Sequence, residues 1–521
     1  LVAGFDTLAD CAGECAAVGV RITHWGGAKV RRLVKIAAPF GGNLFAVHNN
    51  TLRNGLRGLL ERVLKYREAD GQLSDLPRPR PVALGAMDAF FAAYSGTVRC
   101  ATPLSDPEFL QGYTGRRRTI YEQAVESLRS SPFVPRDAEV GPAFVKAEKI
   151  NFGAKPDPSP RIIQPRNPRY NVEVGRYLRR IEHDVYQNIA SLYGGPTVMK
   201  GYTPYGVASN LREMWDEFAD PVAIGLDATR FDMHVRRELL EFEHSVYALH
   251  FYRGHRKRLR RLLKLQLRNV GQLRCSDGVA KYVVDGGRMS GDMNTALGNC
   301  LIMCAIIYTY GVAGLGLRLR LANNGDDCVV VMNRCDLARF CQHLERCFWW
   351  YGIRLKVEEP VYRFEQIEFC QTRPVKTTNG WLMCRDPHVA LAKDLVATNP
   401  EYCCGNGFRK WAGAVGQCGL AIAGGLPIFD SFYSKLASIG IESRVATDTA
   451  MDSGFLRMAR GMRRGHMRVE DEVRVSFFLA FGINPSQQMA IEEAIDQWEI
   501  HVPETPGLVY PALSRLNCVL W

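Results

Sequence analysis

The 521-residue sequence has no CxxC pair, no internal repeat, no low-complexity tract and no charged-then-apolar opening of the kind that forms a secretory leader. Its sixteen cysteines are scattered, the closest being Cys11 with Cys15, Cys300 with Cys304, and adjacent Cys403 and Cys404. That spacing argues against a zinc or disulfide framework and reads as buried free thiols in a reducing compartment. The first residue is Leu rather than Met, so the chain is expected to begin inside a longer reading frame or after processing. One uncharged run, Asn299 to Leu317, is long enough to cross a bilayer. It lies between two polar segments that would then have to fall on opposite sides of the membrane. It is therefore read as a buried helix, and no intrinsic transmembrane segment is expected.

What is present is apolar bulk and positive charge. A hydrophobic content of 47% over this length can bury a large core divided into two to four subdomains. Lys and Arg number 66 against 54 Asp and Glu, a formal net charge of +12, which suits a polyanionic partner. Residues 1 to about 145 mix short apolar stretches with turns such as QLSDLPRPRPV at 72 to 82. Within them, Leu52, Leu56, Leu59, Leu60, Val63 and Leu64 predict one face of a helix over Leu52 to Tyr66. From Lys146 to Arg180, nine Lys or Arg face only Glu148, Asp157 and Glu173. The five prolines of KPDPSPRIIQPRNPRY in that stretch predict extended backbone displaying cations along a ribbon. A second basic cluster, YRGHRKRLRRLLKLQLR at 252 to 268, places Leu259, Leu262, Leu263 and Leu267 on one helical face and is read as an amphipathic surface helix in preference to a dedicated RNA contact. Beyond about residue 373 the chain turns Gly-rich and then helical, and reads as a separate packing unit without a chemical constellation.

Four segments carry chemistry. In VAIGLDATRFD (222 to 232) an apolar strand ends at Asp227, and Asp232 follows one turn later. In LRLRLANNGDDCVVVM (317 to 332) alternating apolar residues, an Asn-Gly turn and adjacent Asp326 and Asp327 predict a hairpin with acids at its tip. Adjacent acids are ordinary in a solvated turn; buried, they need a cation, and oxygen ligands select a hard ion such as Mg²⁺ or Mn²⁺. In GGRMSGDMNTALGN (286 to 299) Thr295 and Asn299 share a helical face; capping accounts for Ser290 but not for Asn299, which is read as a ligand contact. Finally, CDLARFCQHLERCFWWYG (335 to 352) predicts an amphipathic helix ended by Gly352, with Lys356 on the strand that follows.

Taken in order, an acidic strand end, an SGxxxTxxxN helix, a GDD hairpin and a helix-to-lysine segment resemble motifs A, B, C and D of positive-strand RNA virus polymerases. RMSGDMNTALGN and FVKAEKINFGAKPDPSPRIIQPRNPRYNVEVGRYL at 144 to 178 look in particular like the tombusvirus and umbravirus group. The basic ribbon corresponds to motif F and FEQIEFCQT at 364 to 372 to motif E, and FAVHNNTLRNGLRGLLERV at 45 to 63 is similar to that group's amino-terminal region.

The resemblance implies an α+β right hand whose antiparallel palm sheet is flanked by helices. Residues 1–145 would be amino-terminal fingers linking to the thumb, 146–220 fingers with motif F, and 221–234 palm with motif A. Residues 235–284 would be a fingers insertion, 285–372 palm with motifs B to E, and 373–521 an all-helical thumb. It implies RNA-directed RNA polymerase activity with two Mg²⁺ ions, replaceable by Mn²⁺, held by Asp227 and Asp326 with Asp327 auxiliary. Lys149, Lys155 and Arg161 would meet the triphosphate, Arg161 through its planar fork. Asp232 and Asn299, supported by Ser290 and Thr295, would meet the ribose hydroxyl, and Lys356 would protonate the departing pyrophosphate. Template and nascent RNA, nucleoside triphosphates and an auxiliary viral replication protein are the implied partners. The implied location is host cytoplasm, at membrane-associated replication complexes reached through a partner or an upstream region. A reverse transcriptase and a non-catalytic basic RNA-binding protein of polymerase fold are the alternatives.

Overall fold

The computed structural model describes residues 1–36, 45–68, 70–154, 157–441, 455 and 458–507. At its centre is a four-stranded antiparallel sheet in the order Leu319–Asn323, Asp327–Asn333, Pro221–Ala228, Leu355–Val357. The β-branched and apolar runs of these segments suit a sheet covered on both faces. Strand alternation divides them. Val222, Ile224, Leu226 and Ala228 join Val330 and Met332 in a core built with the helices Pro168–Leu192 and Thr295–Ile307. Ala223, Val329 and Val331 face the other way, onto Leu211, Met214 and Trp215 of the helix Pro204–Asp216 and onto Phe364, Phe369 and Met383.

The apolar run expected to be a buried helix is one. Residues 297–307 are all buried, and the helix continues as a wider turn through Tyr308–Gly314. Thr295–Gly314 is the single helix among the described residues long and apolar enough to cross a membrane, and most of it lies inside the protein. All cysteines among the described residues are free, but the expected burial holds for only eight of them: Cys100 and Cys335 are exposed, and Cys341, Cys347, Cys370, Cys403 and Cys404 are partly exposed.

A second sheet of five strands runs Arg21–His24, Gly278–Asp285, Arg268–Arg274, Val140–Val145, Ile162–Ile163, covered on its inner face by the helix Leu52–Leu59. That helix carries Leu52, Leu56 and Leu59 inward as expected, and continues through Leu60–Leu64 as a π-helical turn. The proline-rich ribbon is extended only in part. Pro168 opens a 25-residue helix capped by Asn167, because proline at a first helical position sacrifices no hydrogen bond. The helix expected over 335–352 is broken into Leu337–Cys341 and Leu344–Trp350, with Gly352 terminating it at φ +77°.

The carboxy-terminal unit departs from the all-helical expectation. It opens with a hairpin, Thr372–Thr377 and Gly380–Arg385, and adds a short strand at Val396–Ala397 before the helices Gly405–Ala423, Phe429–Ile439, Asp471–Phe481 and Pro485–Gln497. Nor is it fully separate. Val396–Ala397 pairs with Arg32–Lys35, and Val34 and Ile36 enter the core formed by residues 375–495.

Candidate active site

Asp227 is the last residue but one of its strand, directly opposite Asp327 on one side and Lys356 on the other. Directly paired residues of antiparallel strands project from the same face about 5 Å apart. The register therefore lines up Asp327, Asp227 and Lys356 in one row across three strands. The turn that delivers Asp326 is built by its asparagines. Asn323 Nδ2 donates to Gly325 O at 2.7 Å, Gly325 N donates back to Asn323 Oδ1 at 3.2 Å, and Lys200 Nζ holds Asn324 Oδ1 at 2.8 Å. Gly325 sits at φ +95°, a conformation that side chains with a Cβ resist.

These acids crowd one another. Burial, then the charges of Asp327, Asp232 and Asp227, push the Asp326 carboxyl up to about 6. Burial and then Asp227 raise Asp327 as well. Both side chains nevertheless open to solvent on one side. Such a set of mutually repelling carboxylates is what a hard divalent cation would stabilise. Among the described residues no group of three or more His, Cys, Asp or Glu is placed to hold a metal ion.

Asp232 lies in a different environment. Asn299 Nδ2 donates to its Oδ1 at 2.9 Å and the Ser290 hydroxyl donates to its Oδ2. The helix starts only at Thr295, so Ser290 is no cap, contrary to the sequence expectation. Thr295 stays outside this network: its hydroxyl donates to the carbonyls of Met289 and Asp292 at 3.1 and 3.0 Å and so shapes the loop. Behind Asn299 stands a residue that sequence reasoning missed. Arg288 is fully buried, donates from Nε to Asn299 Oδ1 at 3.0 Å and pairs through both terminal nitrogens with buried Glu243. Gly298 lacks the Cβ that would collide with this pair. The one signal available was a lone arginine in an uncharged stretch between a Gly pair and Ser290.

A cavity of about 1120 Å³ joins these groups. Asp227, Asp232, Asp326, Ser290, Thr295 and Asn299 line it, and Arg57, Arg62, Arg161, Arg230 and Lys200 supply the cations. Asp327 and Lys356 stand beside it rather than in its wall. Arg161 is in place, 3.5 Å from Glu148, but Lys149 is directed elsewhere, donating to Lys393 O at 3.1 Å. Lys155 lies outside the described residues. Arg62 and Arg230, from segments not assigned to this role, complete the basic wall. Arg62 Nε donates to Ser159 O at 3.0 Å; burial, then Arg161 and Arg230, lower its pKa to about 10. Arg161 is answered by Glu148 and Arg230 by Glu61 at 4.0 Å, while Arg62 makes no ion pair among the described residues and is the cation of this wall most open to an anion.

An acid row at a sheet end, facing a polar pocket and a basic wall, is an arrangement for handling nucleotides, and the chain belongs to the viral RNA-dependent RNA polymerase family, whose model matches residues 20–503. Among its relatives is the RNA-directed RNA polymerase of Tobacco necrosis virus (strain A), 44% identical over 478 residues, covering 91% of this chain and 65% of the relative. The enzyme of Turnip crinkle virus is 43% identical over 479 residues, covering 91% and 60%, and that of Melon necrotic spot virus 44% identical over 499 residues, covering 94% and 62%. The chain thus spans between three fifths and two thirds of these relatives' length.

Proposed function

We propose that this chain is an RNA-directed RNA polymerase that replicates a positive-strand RNA virus genome by nucleotidyl transfer from ribonucleoside triphosphates. The observation that carries the reading is the shared cavity, where Asp227 and Asp326 meet the Asp232–Ser290–Asn299 network and the arginine wall. Asp227 and Asp326 would hold two Mg²⁺ ions, or Mn²⁺, with Asp327 assisting. When bound, these supply activation of the attacking 3′-hydroxyl and charge neutralisation at the leaving pyrophosphate. Arg161, Arg62 and Arg230 orient the triphosphate. Asn299 and Asp232 present their remaining hydrogen-bonding capacity to a ribose hydroxyl, a contact that a deoxyribose would forfeit; this favours RNA synthesis over reverse transcription. Lys356, opposite Asp227, is the candidate proton donor to pyrophosphate.

In this reading the central sheet is the palm, residues 146–220 and 235–284 are fingers, residues 373–521 are the thumb, and the pairing of Arg32–Lys35 with Val396–Ala397 links fingers to thumb. Template and nascent RNA occupy the basic cleft, and an auxiliary viral protein or upstream segment carries the enzyme to cytoplasmic replication membranes. Asp326→Ala should abolish incorporation on a product gel while filter retention of template RNA stays near the parent's. Equal incorporation by variant and parent would overturn the assignment. A clear preference for deoxyribonucleotides on a primed RNA template would favour the reverse transcriptase instead.

A further inference from the structure

The helix Arg253–Lys264 lies outside the cavity and shares no lining residue with it. Leu259, Leu262 and Leu263 are buried, and the Tyr170 hydroxyl donates to Leu262 O at 3.0 Å, which fixes the helix's rotation. The outward face forms a depression of about 610 Å³ lined by Arg253, Arg256, Lys257, Arg260, Arg261 and Lys264. No acidic residue lines it, and among the described residues none of the six makes an ion pair; Arg258, outside the depression, takes Glu173 at 2.6 Å. Packing six cations on one face is unfavourable for the fold, and although Arg256 donates to Phe251 O at 3.1 and 3.3 Å, no acid among the described residues neutralises any of them.

From residue 253 to 264 the helix rises about 16 Å, with a fresh set of cations every turn of about 5.4 Å. That repeat suits a row of phosphates better than a single anion. The leucines of the helix are consumed by the core, so between Arg253 and Lys264 the exposed face has no large apolar group to enter a lipid surface. Tyr252, immediately before the helix and 58% exposed, offers a ring on which a base can stack. We infer that this face is an accessory site for the backbone of single-stranded RNA, engaging template or product outside the catalytic cavity. The identity of the ligand rests on the polymerase reading above.

The test uses the full chain carrying Lys257→Gln, Arg260→Gln and Lys264→Gln together, glutamine preserving helix propensity. A charge-matched control carries Arg116→Gln, Arg117→Gln and Arg118→Gln on another exposed helix. Affinity for a long single-stranded RNA should fall about tenfold, and the slope of log K against log salt should shrink by about 2, since each lost phosphate contact removes about 0.7. Incorporation on a template short enough to fill only the cavity should be unchanged, and the control should lose far less. Unchanged long-RNA affinity, an equal loss in the control, or lost binding to phosphatidylserine vesicles with RNA binding intact would overturn the inference. A parent that incorporates no nucleotide would sink the polymerase reading, while the RNA affinities would still decide the accessory site.

Discussion

Asp232 receives hydrogen bonds from Ser290 and Asn299, whereas Asp326, on the same cavity, has Asp327, Asp232 and Asp227 as charged neighbours. The first carboxylate is answered by neutral donors and held in one orientation by a buried Arg288–Glu243 pair behind it. The second is left with excess negative charge at an open face. Hydrogen-bonded rigidity suits recognition of a hydroxyl, and uncompensated charge suits cation binding; under the proposed function one cavity would thus separate choosing the sugar from performing the transfer.

The difference predicts distinct failures. Asp326→Ala removes charge where the cation is needed and should lower incorporation by about 10³-fold or more. Asn299→Ala should instead keep incorporation of ribonucleotides measurable and relax selection against deoxyribonucleotides by about tenfold to a hundredfold, read as the ratio of kcat/KM values. Unchanged discrimination would remove Asn299 from the sugar site. Arg62→Gln touches neither acid, so it should raise KM for the triphosphate about tenfold with kcat nearly constant; a kcat effect alone would argue that Arg62 acts on the fold.

The smallest effect concerns stability. The folded Asp326 value of about 6 lies above its ordinary 3.8, so the protonated form is favoured by folding and ionisation destabilises the metal-free protein as pH rises across that window. Asp326→Asn cannot ionise. Without divalent ions it should melt higher than the parent at about pH 7.5, match it below about pH 4, and lose its advantage when magnesium is added. A pH-independent difference would mean that Asp326 is not electrostatically strained.

Much of the site was legible because its signals are local. The alternation around Asn324 and Gly325 identified the hairpin, the apolar run before Asp227 identified its strand, and leucine spacing identified the helices that begin at Leu52 and Arg253, although the first ends at Leu64 and not at Tyr66, which pairs as a strand with Ser74. The proline-rich ribbon was legible only up to Pro165, since Pro168 was equally able to start a helix.

The sequence by itself determined the inventory: which acids end strands, which segments carry surplus cations, and which apolar faces must be buried, all consequences of chain-local periodicity and charge. Tertiary structure alone decided who meets whom. The register opposing Asp227 to both Asp327 and Lys356, the turning of Lys149 toward Lys393, the arrival of Arg62 beside Arg161 and the burial of Arg288 against Glu243 each join residues far apart in the chain. Electrostatic partnership depends on distance and desolvation, and neither exists until the core has closed.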